Sequence, residues 1–234
     1  MRRVLSTTLA VALLLGLGAL AVLALPNPSA SLAETSVVSA AAPEFNPDAP
    51  ATGPNFNMVA MPLNATNQFT SAGLTYDADG LAKLVGSGVR QALSWDNVNQ
   101  VYKIWTIDEF GGSGTNFPLA VGGGYWLLLD STSPTIVSFV GDVPAQGSLH
   151  FSFVTAASCK FNEFSIPLDQ PGITKANQLA TALSATQVLH WDATLQLFDI
   201  WTVDEFGGSG TDFNVKIGYP YVACLATGAP TTWP

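Results

Sequence analysis

The sequence predicts a mainly β protein built of two tandem homologous modules, each a small sandwich or barrel-like unit with one short helix. Three observations carry that prediction. First, Asp-Glu-Phe-Gly-Gly-Ser-Gly-Thr occurs at residues 108–115 and again at 204–211, an offset of 96 residues. Second, the match runs beyond the loop: Trp95 aligns with Trp191, Trp105 with Trp201, Phe117 with Phe213 and Tyr125 with Tyr221. Between residues 95–117 and 191–213, 15 of 23 positions are identical. A repeat of this length fixes the organisation of the chain before any fold is considered. Third, short apolar runs alternate with turn signals and leave room for only one brief helical pattern per repeat, which favours sheets over helical layers.

The elements follow in the same order in each copy. An apolar strand ending in Pro-Leu opens the module, at residues 57–63 and 162–168. Proline lacks the N–H needed for a ladder, so Pro62 and Pro167 mark a strand end or an edge. A helix is predicted next. In the second copy Thr174 is the expected N-cap, and Ala176, Leu179, Ala180 and Leu183 recur at helical spacing. Leu81, Ala82, Leu84 and Val85 take that place in the first copy. The connecting stretch is longer there, 33 residues from Pro62 to Trp95 against 24 from Pro167 to Trp191. A hairpin follows, its arms ending at Asp96 and starting at Gln100, or at Asp192 and Gln196. Then come the Gly-rich loop and an apolar strand at 125–129 or 221–225. The first copy adds residues 135–141, whereas the matching stretch of the second stops at Trp233-Pro234.

The N-terminal 33 residues read as an export signal: Arg2 and Arg3, an apolar run over 9–25, and Ser31-Leu32-Ala33 before the cleavage point. Residues 34–54, with four prolines among Ala, Ser and Thr, read as a linker. The modules are then placed at 55–143 and 145–234. Removing residues 1–33 would leave 6 basic against 17 acidic side chains, a net charge of −11 where the full chain has −9. Such a surface repels phosphate backbones and anionic lipid heads, so no nucleic acid partner and no membrane insertion after signal cleavage are expected. The two cysteines, Cys159 and Cys224, suit one disulfide in an exported chain.

Several motifs resemble an extracellular β-rich repeat of bacterial and archaeal surface proteins, which opens on an Asn-Leu-Ile-Ser-Leu-Pro-Leu-like strand, carries a central Trp-Asp and closes on Gly-x-Gly-Tyr-Trp/Phe-Val. The matching residues are 57–63, Trp95-Asp96, Asn116-Phe117-Pro118-Leu119 and 122–126, and in the second copy 162–168, Trp191-Asp192, Phe213 and 218–221. Pro220 departs from the closing pattern. The resemblance implies an accessory or structural module of secreted or cell-surface proteins, with no catalytic residues to carry over.

Candidate chemistry is sparse. Asp108, Glu109 and Asn116, with Asp204, Glu205 and Asp212, offer oxygen ligands of the kind calcium takes, yet their spacing is not that of an EF-hand. The alternative for this loop is a glycine-permitted excursion between strands. Asp108 and Glu109 are adjacent, so on a strand they would face opposite ways and could not act as a glycosidase pair. His150 and His190 lack counterparts in the first copy. On the second hairpin arm a charge alternates with Trp105 or Trp201, which makes these indoles candidates for stacking on a sugar or a partner protein; the alternative is packing against the helix or the sister module. Trp95 and Trp191 read as core. The sequence therefore predicts a secreted or cell-surface, non-enzymatic structural or adhesive protein without a cofactor, its partner an extracellular glycan or surface protein. A carbohydrate-binding protein using Trp105 and Trp201 is the second reading and a secreted hydrolase a distant third.

Overall fold

The computed structural model describes residues 38–40, 55–86, 88–130, 137–145, 147–166 and 172–234. Residues 1–33, read as an export signal, and the stretch read as a linker apart from residues 38–40, lie outside the described residues.

Two five-stranded antiparallel sheets carry the fold, one per module. In the first, β2 (Asn55–Ala60), β3 (Val89–Asp96), β4 (Val101–Thr106), β5 (Ser113–Gly114) and β6 (Gly124–Leu129) lie in the order β2-β6-β3-β4-β5. In the second, β9 (Lys160–Ser165), β10 (Gln187–Asp192), β11 (Leu197–Thr202), β12 (Ser209–Gly210) and β13 (Pro220–Leu225) repeat that order as β9-β13-β10-β11-β12. The hairpin registers match at the repeat offset: Leu93 pairs with Ile104 and Leu189 with Ile200. Pro220 is the first residue of its strand, where a missing donor is tolerated.

Each sheet buries one face under helix. In module one, α1 (Thr66–Ser71) and α2 (Ala78–Val85) cover Val59, Ala92, Tyr125 and Leu127. In module two, α3 (Ala176–Leu183) covers Phe164, Val188, Tyr221 and Ala223. Alternation along each strand sends these residues to one face and their neighbours to the other. The first module has two helices where one was expected, and α1 accounts for much of its longer link. Helix α3 starts one residue later than expected: Lys175 is its N-cap, while the Thr174 hydroxyl donates to Gln178 Oε1 at 3.1 Å.

A two-stranded ribbon completes each module. β1 (Val38–Ala40) pairs with β7 (Val137–Phe139), and β8 (Phe151–Ser152) pairs with β14 (Thr232–Trp233). The strand at 38–40 falls in the stretch read as linker. Trp233, near the end of the chain, is buried with Phe151, Phe153 and Phe164. Cys159 and Cys224 are bonded, with Cα atoms 5.5 Å apart, and close a separation of 65 residues within module two. In the chain-entropy account a loop of that size stabilises by about 4 kcal/mol.

Candidate functional site

The repeated loop is held from inside. Asp108 Oδ1 accepts from the backbone N–H groups of Phe110 and Gly112 at 2.9 and 3.1 Å, and Asp204 Oδ1 does the same for Phe206 and Gly208, both at 2.9 Å. The N–H of Phe206, a Ser209 hydrogen bond and the N–H of Gly208 together hold the Asp204 carboxyl below its usual range. Gly112 and Gly208 take φ of +136° and +132° and lie against Trp105 and Trp201; a Cβ at either position would meet the indole at 2.4 Å. The glycines therefore do two jobs, reversing the chain and admitting a tryptophan edge.

This accounts for Trp105 and Trp201. Both are half-buried and packed against the helix-side cores, each with part of its indole beneath the loop glycine. The aromatic that the loop does present is its phenylalanine. Phe110 is 90% exposed and Phe206 is 89% exposed, each between an acidic residue and Gly-Gly. The repeat signal contained them, but their exposure depends on the loop geometry.

The six candidate metal ligands do not converge. Asp108 and Asp204 are engaged in their turns, and Glu109 and Glu205 are exposed beside them. Asn116 and Asp212 reach to the helices instead, where Asn116 Oδ1 accepts from Asp79 N at 3.1 Å and Asp212 Oδ1 from Asn177 N at 2.9 Å. These are N–H groups of the first helical turn, which lack intrahelical acceptors. Among the described residues no group of three His, Cys, Asp or Glu side chains is placed to hold a metal ion. His190 packs against both Phe213 and Tyr221, and burial lowers its pKa.

The Trp-Asp motif builds the contact between modules. Asp96 Oδ1 accepts from Val98 N and Asn99 N, both at 3.0 Å, and Asp192 Oδ1 accepts from Thr194 N and Leu195 N at 2.8 and 2.9 Å. The turn so formed ends on a glutamine in the left-handed region, Gln100 at φ +58° and Gln196 at φ +54°. Each glutamine amide then pairs with an edge strand of the other module. Gln100 Oε1 accepts from Phe161 N at 3.0 Å and its Nε2 donates to Phe161 O at 2.9 Å; Gln196 treats Phe56 likewise at 2.8 and 2.9 Å. Trp95 Nε1 and Trp191 Nε1 donate to those same carbonyls, both at 2.9 Å. Contacts made reciprocally in this way define a self-complementary, twofold-like seam. The side-chain amide imitates a neighbouring strand and blocks an otherwise open sheet edge. Trp95 and Trp191, read as core, are therefore seam residues.

These features define the class of protein: a two-module β-rich chain joined face to face by its own repeated hairpins. No family model, curated protein or solved structure matches it. Among the described residues no helix is long and apolar enough to cross a membrane.

Proposed function

We propose that this is an exported, non-catalytic protein that works by contact, structural or adhesive at a cell surface or in the extracellular matrix, with the two loop tips as its gripping elements. The observation that carries this reading is the near-complete exposure of Phe110 and Phe206 at corresponding points of two identical loops. A large ring held in water by a braced loop loses little conformational freedom on binding and gains apolar burial in a partner's pocket. Glu109 and Glu205 beside the rings favour a pocket with a basic rim on a surface protein. Two equal tips on one seam-locked body add avidity without new chemistry. The disulfide suits an oxidising compartment.

The test is retention of the mature protein on envelopes of the producing cells, compared with Phe110→Ser, Phe206→Ser and the double variant. Each single variant is expected to weaken retention by about tenfold or more, and the double variant to abolish it. Undiminished retention of the folded double variant would remove the tips from the mechanism. Binding to a glycan array that is lost in Trp105→Ala plus Trp201→Ala would replace this reading with carbohydrate recognition.

A further inference from the structure

The glutamine and indole hydrogen bonds of the seam repeat on both sides, but its filling does not. Positions 126 and 222 correspond at the repeat offset, and they carry Trp and Val. The Trp126 indole makes edge contacts with Trp191, Phe198, Phe56 and Tyr102, at centroid distances of 5.1, 5.8, 6.2 and 6.4 Å. The counterparts of those four rings are Trp95, Tyr102, Phe161 and Phe198. They line a cleft of about 230 Å³ over Val222, where the other half of the seam holds an indole. A second exchange accompanies the first. Met58 of β2 corresponds to Glu163 of β9, and Glu163 lines the cleft.

Glu163 is poorly compensated. Its Oε2 accepts from Trp95 N at 3.2 Å. Its Oε1 is cut off from water and has no hydrogen-bond partner; the Trp126 indole N–H eases the charge but is not aligned for a bond. Among the described residues no Lys, Arg or His forms an ion pair with it. An apolar cleft with aromatic walls and one uncompensated carboxylate disfavours anions and gives a neutral guest nothing for the charge. It rewards a cation with an apolar body, which the ring faces attract and the carboxylate neutralises.

We propose that this cleft is a binding site for a small free organic ammonium ion, seated among Trp95, Tyr102, Phe161 and Phe198 with its charge toward Glu163. The guest takes the place that the Trp126 indole occupies in the other half. Binding strengthens as Glu163 ionises. Burial pushes this carboxyl up to about 7, against weaker opposing effects of the Trp95 N–H and the Trp126 indole. The titratable groups that feel its charge are the Tyr102 and Tyr125 hydroxyls, both raised chiefly by burial, Tyr102 to about 12, so both stay neutral while it titrates.

The experiment is calorimetric titration of the mature protein, on the alkaline side of the Glu163 transition, with choline and with its neutral carbon isostere 3,3-dimethylbutan-1-ol. Saturable choline binding is expected, with the isostere weaker by about tenfold or more. Glu163→Gln keeps an acceptor for Trp95 N but removes the charge, and is expected to erase the preference. Val222→Trp, which installs the indole of the other half, is expected to abolish choline binding while leaving far-UV circular dichroism unchanged. Absence of saturable choline binding, equal affinity for the isostere, or wild-type choline affinity in Glu163→Gln would each overturn the proposal. The glutamine variant decides the matter should the tryptophan variant fail to fold.

Discussion

The two halves of the seam share their glutamine and indole hydrogen bonds but differ in what lies between them. Around Trp126 four rings close on an indole, whereas around Val222 the equivalent four rings leave a cleft with a carboxylate in its wall. The bonds set the alignment of the modules, since each glutamine and tryptophan finds the same backbone atoms on either side. The side chains between them decide how much apolar surface each half buries. A tandem duplication can thus hold one architecture in common while packing its two halves differently.

The largest effect should come from emptying the filled half. Trp126→Ala removes a side chain whose residue is only 5% exposed, and cavity-forming changes of this kind cost about 3–5 kcal/mol. Val222→Ala, at the corresponding point, borders a cleft already and is expected to cost only about 1–2 kcal/mol. Urea unfolding of both variants measures the difference. Equal losses would mean that the two halves are packed alike, and the contrast between them would fall.

A smaller effect lies in the pH dependence of the open half. The folded pKa of Glu163, near 7, is raised above its ordinary value of 4.5. Its contribution to stability is therefore fully present below pH 4.5 and is lost as pH rises through about 7. Over that window the native protein should lose up to a few kcal/mol, with the variant Glu163→Met, which copies Met58, losing less. Denaturant midpoints across the window, for wild type and variant, give the comparison directly. A wild-type profile as flat as that of the variant would show that Glu163 carries no desolvation penalty in the folded state.

Much of this architecture was legible in the sequence because its causes are local. The repeat of Trp-Asp and of the Gly-rich loop announced two modules, the period of Ala176, Leu179, Ala180 and Leu183 announced α3, and Cys159 and Cys224 announced their bond. The roles of the tryptophans were not legible. Strand alternation separates Trp95 from Trp105, but it does not say which face meets a helix and which meets the sister module. Here the helix takes the face of Trp105, and the second sheet takes that of Trp95. Gln100 and Gln196 were visible only as identities, because their partners lie 61 and 140 residues away along the chain. Glu163 gave no sign at all, since its burial depends on a neighbour from the other module.

The smallest effect concerns what the two halves share. Gln100→Ala and Gln196→Ala each remove an amide that satisfies both the N–H and the carbonyl of an edge residue, Phe161 or Phe56. Net hydrogen-bond contributions of this kind run to about 1–2 kcal/mol per site, with the tryptophan N–H still serving each carbonyl. The two losses should be nearly equal despite the unequal filling, because each glutamine makes the same pair of bonds to its edge residue. They should also add to within about 0.5 kcal/mol, since the glutamines share no partner. Chemical unfolding of both single variants and the double variant tests this. A double variant no weaker than either single one would show that losing one glutamine already parts the modules, and that the seam acts as a single latch rather than two.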